Sequence, residues 1–322
     1  MIISRAPFRV SLLGGGSDVA WYYKEYGGAV LSSSIQKYMY VIIHEYFGGK
    51  RFRLKYSELE DVDSVEEVRH PLIRACLKEY APNGKLEIAS IADVPAGTGL
   101  GSSSSFTVAL LHALSTYKGT MKSRLSLAGE ACRIEIDVLG APIGKQDQYA
   151  AACGGLNVIR FNSDESVSVE PVSISSQTTE TLERRLRLYY LGQTRDANVI
   201  LAEQNAETAR SNKVSILGEM VAGVDALKRE LERGNADVVG EVLHEAWMKK
   251  KSLVNGISSS NIDDVYSRAM SFGATGGKVL GAGGGGFFLL DHENHDFLEE
   301  KLKMSSLPFR IDKSGACIMP MF

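Results

Sequence analysis

The run Pro95-Ala96-Gly97-Thr98-Gly99-Leu100-Gly101-Ser102-Ser103-Ser104-Ser105 constrains the fold more than any other stretch of this 322-residue chain. Three alternating glycines lead into four serines. An apolar segment of helical character follows at once, with Phe106, Val108, Ala109, Leu110, Leu111, Ala113 and Leu114. Upstream, Leu86–Ile91 reads as a strand. Glycines without a Cβ let backbone N–H groups converge on one point. A helix start adds free N–H donors and the positive end of a dipole. Serine hydroxyls can cap that helix or reach a metal. Together these parts describe a phosphate cradle. A flexible linker would rarely sit between an apolar strand and an apolar helix.

Composition narrows the partners. Apolar residues make up 44% and charged residues 23%, as in ordinary globular enzymes. A net charge of −3 favours neither nucleic acid nor an anionic membrane. Met1-Ile2-Ile3-Ser4-Arg5 reads as an immediate first strand, not as a signal peptide. No apolar run approaches a membrane span. Cys76, Cys132, Cys153 and Cys317 lie far apart without a Cys-x-x-Cys pair. Reduced, mostly buried thiols and a cytoplasmic location are therefore expected. His292 and His295 sit in a polar stretch and are expected in a solvated turn.

Strands are expected over Ile2–Leu13 with a turn at Pro7, then Ala29–Ser34, Tyr38–Tyr46 and Arg51–Tyr56. Helices are expected over Val19–Tyr26, Pro71–Tyr80 and Ser123–Leu139. Residues 160–180 are polar and β-branched, which suggests a boundary crossed by surface strands. Beyond it, Leu186–Leu191 reads as a strand, and Asp196–Asn212, Val214–Arg233, Ala236–Lys251 and Asn261–Phe272 as helices. Lys278–Leu280 and Phe287–Leu290 flank a glycine turn, Phe297–Met304 is a short helix, and Phe309–Ile318 holds a last strand. A strand-rich first half and a helix-rich second half argue for an α+β fold in two lobes, divided at 165/166.

Two better-known phosphate motifs are excluded. Gly140-Ala141-Pro142-Ile143-Gly144-Lys145-Gln146 is one residue short of a Walker loop and lacks its hydroxyl. Gly281–Gly286 fits Gly-x-Gly-x-x-Gly but leads into a strand, so a dinucleotide would lose its helix dipole. An acidic pair adds chemistry. Glu135, on a helix, and Asp147, on the following loop, lie twelve positions apart and can face one ligand. Kinase chemistry needs two such groups, one for Mg²⁺ and one for the attacking hydroxyl.

The order of three motifs then resembles the GHMP kinase superfamily. They are Pro7–Asp18, Pro95–Ser105 and Gly276–Phe287. The resemblance implies an N-terminal lobe over 1–165 similar to the second domain of ribosomal protein S5. It implies a ferredoxin-like C-terminal lobe over 166–322, with ATP and substrate between them. Pro95, Gly97, Gly99, Leu100, Gly101, Ser102, Ser103 and Ser104 would wrap the ATP phosphates. Ser103 and Glu135 would bind Mg²⁺, and Asp147 would act as base with Arg9 beside it. Lys145 could neutralise charge on the transferred group. Gly283 and Gly284 would approach from the second lobe.

Within the superfamily the chain resembles heptose 7-phosphate kinases and fucokinase-type sugar kinases. Gly14–Asp18, Arg69–Arg74, Gly192–Leu201 and Gly273–Lys278 carry that resemblance. It implies phosphorylation of an anomeric hydroxyl to give a sugar 1,7-bisphosphate. Galactokinases carry Glu-His where this chain has Gly15-Gly16, which leaves room for a longer sugar. Ser17 and Asp18 complete that candidate sugar loop. A distal phosphate needs cations. Arg195 is the first candidate, and Arg69, Arg74, Lys37 and Lys145 follow. Expected partners are a small sugar or sugar phosphate, with no nucleic acid and no membrane, on a monomer or homodimer. A kinase for an unphosphorylated sugar and a non-catalytic sugar sensor on the same fold are the alternative readings.

Overall fold

A computed structural model describes residues 1–192, 210–253 and 256–320. Arg195 and most of the helix expected over Asp196–Asn212 lie outside the described residues.

The first sheet is built on two long neighbours. β1 (Ile2–Leu13) and β2 (Gly28–Glu45) pair antiparallel along nearly their whole length. β1 runs through Pro7, and the expected turn is instead a register shift between Pro7 and Phe8. On its other edge β2 serves two partners. Its N-terminal half pairs with β6 (Leu156–Phe161) and its C-terminal half with β5 (Leu86–Ala92). Between them, Gln36 N donates to the Arg310 carbonyl at 2.8 Å and Asp312 N to the Ser34 carbonyl at 2.9 Å. The two strands expected over 29–34 and 38–46 are therefore one. β3 (Phe52–Lys55), β4 (Leu59–Val62), β7 (Val167–Pro171) and β12 (Cys317–Ile318) complete the sheet.

The expected division at 165/166 can be placed on this topology. The position falls inside the β6–β7 hairpin, and β12 returns from the chain end to pair with β1. The physical reason is that β1 and the middle of β2 would otherwise leave backbone groups unpaired.

Helices cover one face of this sheet: α2 (Pro71–Tyr80), α3 (Ser102–Tyr117), α4 (Arg124–Cys132) and α5 (Gln146–Cys153). α1 (Ala20–Tyr26) follows β1. Local chemistry sets the ends of α2, where His70 caps through Nδ1 and Pro71 occupies the first turn. α3 is buried nearly all round and anchors the first core with Val108, Leu110, Leu111 and Leu114. The chain expected to stay α-helical to Leu139 widens into a π-helix over Arg133–Val138.

The second lobe carries β8 (Leu186–Tyr190), β9 (Gly276–Val279), β10 (Phe287–Asp291) and β11 (Ser306–Pro308), in the order β11-β8-β10-β9 and all antiparallel. This 4-1-3-2 order, with helices after the first and third strands, is ferredoxin-like. Of the surface strands expected over residues 160–180, β7 is one, and α6 (Ser176–Arg185) takes up the end of that stretch and leads into the second sheet. α7 (Arg210–Glu232), α8 (Val239–Lys251), α9 (Ser260–Ser271) and α10 (His295–Leu302) pack around it. Phe8, Val10 and Leu12 of β1 share one core with Leu188, Leu243, Leu289 and Phe309, so the lobes are welded by apolar burial. No helix among the described residues is long and apolar enough to cross a membrane.

His292 and His295 are buried, contrary to the expected solvated turn. His295 Nε2 lies 2.7 Å from the Arg185 carbonyl and Nδ1 3.0 Å from the Tyr189 hydroxyl. A neutral ring satisfies both, donating from Nε2 and accepting at Nδ1. Burial holds its pKa down at about 4. The unfolded chain takes up this proton near pH 6.5, whereas the folded chain does not until about pH 4. Stability therefore rises with pH across that window and is lost as pH falls through it. Denaturant unfolding of wild type and His295→Gln between pH 4 and 7 is expected to differ in slope by about 1.4 kcal/mol per pH unit at most. Parallel pH profiles would show that His295 is not the titrating group.

Candidate active site

The loop between β5 and α3 crosses to β1, where Arg9 N donates to the Leu100 carbonyl at 3.0 Å. Gly97, Gly99 and Gly101 all take positive φ, at 73°, 81° and 75°. Gly101 caps α3 in the left-handed conformation, so the first turn of α3 opens toward the cavity with Ser102, Ser103 and Ser104. Pro95 and Leu100 do not line that cavity. Pro95 accepts from Thr98 Oγ1, and the Leu100 side chain belongs to the shared core.

A cleft of about 520 Å³ lies between the lobes, a size suited to a small-molecule ligand. At its centre Arg9 grips Asp147 with two parallel bonds, Nε to Oδ1 and Nη2 to Oδ2, both 2.7 Å. Arg9 Nη1 also donates to the Gly99 carbonyl at 2.6 Å, tying the pair to the loop. Asp147 sits in the first turn of α5, not on a loop as expected. Its sequence, Gln-Asp-Gln-Tyr-Ala-Ala-Ala-Cys, has no apolar periodicity, because small alanines pack it against the sheet. A Cβ at Gly101 would lie 3.0 Å from Asp147 Oδ2, so glycine there admits the carboxylate.

The π-helix aims Glu135 inward. Leu139 N bonds back to the Ile134 carbonyl, five residues away, which widens the turn at this point. Glu135 is buried and accepts from Ser103 Oγ at 3.1 Å, Thr107 Oγ1 at 2.9 Å and Gln148 Nε2 at 2.5 Å. Burial pushes its carboxyl above the ordinary value despite these bonds. No Lys or Arg pairs with it among the described residues. A desolvated carboxylate beside a serine hydroxyl, at the mouth of a phosphate-type loop, suits Mg²⁺, which takes one or two protein oxygens and completes its shell elsewhere.

The opposite wall is polar. Gly15, Gly16 and Asp18 line the cleft, while Ser17 is turned away and bonds the Gly14 and Ala29 carbonyls. Asp18 accepts from Gly16 N, Gln146 N and Gln146 Nε2. Burial first, and Asp147 second, raise its pKa. Gly144 lies so close that a Cβ would fall 1.9 Å from Asp18 Oδ2. Sequence reasoning missed Ser11 and Gln146. Both line the cleft, and Ser11 Oγ and Gln146 Oε1 are buried without a hydrogen-bond partner among the described residues. The signal for Gln146 was its place in Lys-Gln-Asp-Gln.

Other expected residues lie elsewhere. Lys145 is not at the cleft; its ammonium sits 4.8 Å above the Tyr23 ring and donates to the Glu165 carbonyl. Arg69 pairs with Glu58 and Glu60, Arg74 donates to the Val68 carbonyl, and neither lines the cleft, nor does Lys37. Gly283 and Gly284 pack at Ile257; from that turn Gly281 and Ala282 reach the cleft instead. The cations that do line it are Arg9, Lys213, Lys250 and Lys278. Lys250 shares the helical phase of the buried Leu243 and Trp247, a signal present in the sequence. Lys278 interrupts a glycine and apolar strand buried throughout.

Gly281 holds the lobes at contact distance. Its φ is +65°, and a Cβ there would lie 2.5 Å from Gly99 Cα. Gly140 has a similar φ, +68°, with open space around it. Gly281→Ala is expected to cost at least about 1 kcal/mol more than Gly140→Ala, because only the former adds a clash to the backbone strain. Thermal and denaturant unfolding of the two variants measures this; equal losses would mean the loop and the glycine turn are not in contact.

Known proteins share this architecture. Residues 68–155 match the model for the GHMP kinases N terminal domain and residues 227–304 the model for GHMP kinases C terminal. A D-glycero-alpha-D-manno-heptose 7-phosphate kinase of Campylobacter jejuni is 28% identical over 297 residues, covering 89% of this chain and 88% of that protein. A mevalonate kinase of Methanothermobacter thermautotrophicus is 30% identical over 218 residues, 66% of this chain and 67% of the relative. The solved structure of a D-glycero-D-manno-heptose 1-phosphate kinase from Bacteroides thetaiotaomicron superposes with a TM-score of 0.81 at 27% identity, covering 100% of both chains. Sequence, topology and the cleft agree: the chain belongs to the GHMP kinases, phosphotransferases that act on an alcohol group.

Proposed function

We propose that the protein transfers the γ-phosphoryl group of ATP to the anomeric hydroxyl of a heptose 7-phosphate, giving the 1,7-bisphosphate. The observation that carries this reading is the Arg9–Asp147 pair, set between the glycine-serine loop and the polar wall of Asp18 and Gln146. Ser11 Oγ and Gln146 Oε1 supply unspent hydrogen-bonding capacity for sugar hydroxyls. Gly15 and Gly16 leave the space that a longer sugar needs.

In this reading the loop amides from Gly97 to Ser104 hold the nucleotide phosphates. Ser103 and Glu135 hold Mg²⁺, which when bound neutralises charge on the phosphate oxygens. The acceptor oxygen forms its bond to the γ-phosphorus as the bond to the β-phosphate oxygen breaks, and the hydroxyl proton passes to Asp147. Both oxygens of the Asp147 carboxylate are already held by Arg9. Asp147 therefore orients the hydroxyl first and takes the proton late, as phosphorylation makes it acidic. Arg9 keeps that carboxylate in one rotamer and adds positive charge beside the transferred group.

The test is an ADP-release assay over heptose 7-phosphate, sedoheptulose 7-phosphate, fucose, galactose, mannose and mevalonate. Selective turnover of heptose 7-phosphate is expected; selective turnover of an unphosphorylated sugar would move the assignment to the fucokinase or galactokinase type. Asp147→Asn is expected to bind ATP within a few-fold of wild type and to lose about 10²–10⁴ in kcat. Near-wild-type turnover would remove Asp147 from the chemistry.

A further inference from the structure

Two lysines of the second lobe turn into the cleft, and neither meets an acid among the described residues. Lys278, on β9, is 3% exposed, and its ammonium donates to the Leu12 carbonyl at 3.3 Å. Lys250, in the last turn of α8, is 9% exposed and donates to the carbonyls of Gly281 and Val279. An ammonium has three N–H donors, so both retain donors that no carbonyl takes up. The acids that line the cleft are engaged elsewhere: Asp147 with Arg9, Asp18 with Gln146 and Gly16, and Glu135 with Ser103, Thr107 and Gln148.

Buried charges normally meet a counter-charge. Here burial, then repulsion from Arg9, brings Lys250 down to about 8. Lys278 falls well below its ordinary value through burial and repulsion from Lys250 and Arg9. Arg9, Lys250 and Lys278 thus crowd one side of the cleft, and among the described residues Arg9 alone of these three has a carboxylate partner. Carbonyl ligands aim both ammonium groups but cannot neutralise them. The missing partner is an anion of more than one charge, placed where Lys250 and Lys278 converge with the Gly281 turn, beside the phosphate loop.

We propose that Lys250 and Lys278 form a phosphate-monoester site in the second-lobe wall of the cleft. This rests on the phosphotransferase reading above. The phosphate has two possible sources, the group the acceptor already carries or the phosphoryl group in transit, and the kinetics separate them. Such a site also binds the lobes to the ligand: β9 and α8 contribute the cations, β1 the guanidinium and α3 the loop amides.

The experiment uses Lys250→Met, Lys278→Met and the double variant of the full chain. Methionine keeps length and burial and removes the charge. Removing unpaired buried charges should not lower the melting temperature. With the loop filled by saturating MgADP, inorganic phosphate is expected to raise the melting temperature of wild type and not of the double variant. If the site holds the acceptor's phosphate, KM for the sugar phosphate rises at least tenfold, while turnover of an unphosphorylated sugar stays within twofold. If it holds the phosphoryl group in transit, kcat falls at least tenfold for every acceptor with KM little changed. Either pattern supports the site. Variants that melt lower, keep the phosphate shift and keep kinetics within twofold overturn it, leaving the lysines as struts for the Leu12 and Gly281 carbonyls. So does a wild type whose melting phosphate does not move. A wild type that releases no ADP with any acceptor sinks the kinase reading alone, because the melting experiment still decides the lysines.

Discussion

The bidentate pair between Arg9 and Asp147 is the interaction on which the rest of the cleft depends. It joins the middle of β1 to the first turn of α5, two elements 138 positions apart in sequence. Arg9 is nearly buried, so losing Asp147 strands its charge, at a cost of up to about 3–5 kcal/mol. The same guanidinium reaches the Gly99 carbonyl, and the same carboxylate fits only because Gly101 lacks a Cβ. One ion pair thus fixes the Asp147 carboxylate, the loop and the helix that presents it.

The second lobe is set against that pair by backbone contact. Gly281 touches Gly99, and Gly286 lies so close to Thr98 that a Cβ would fall 2.3 Å from its carbonyl oxygen. Glycine is needed at both ends because no side chain fits between the two chains. The core shared by Phe8, Leu12, Leu243 and Leu289 packs the two lobes together behind this contact. The glycine-serine loop therefore meets the glycine turn, and Lys278 of β9 and Lys250 of α8 line the same cleft.

What the sequence disclosed was mostly local chemistry. Pro71 in the first turn and the His70 cap mark α2, and the glycine-serine run marks the start of α3. A strand after Gly286 excludes a dinucleotide fold, and β10 stands there. What stayed hidden needs the third dimension. α5 is buried through alanines, so it carries no apolar stripe, and the sequence reads as a loop at Asp147. His292 and His295 sit in a polar run yet are buried, because Tyr189 and the Arg185 and Phe272 carbonyls satisfy their rings. The sequence offers Arg69, Arg74 and Lys145, in charged motifs, as candidate anion-binding cations. The cleft instead draws Lys250 and Lys278 from positions that pattern with the core. Periodicity separates inside from outside, but it cannot tell a core lysine from one that lines a cleft.

The most direct measurement is ³¹P NMR of the product formed by wild type from ATP and heptose 7-phosphate. ADP and a second sugar phosphorus resonance coupled to the anomeric proton are expected, with the 7-phosphate signal retained. Release of the γ-phosphate only as inorganic phosphate, or its appearance on any other hydroxyl, would contradict the role given to Asp147 and the cleft around it.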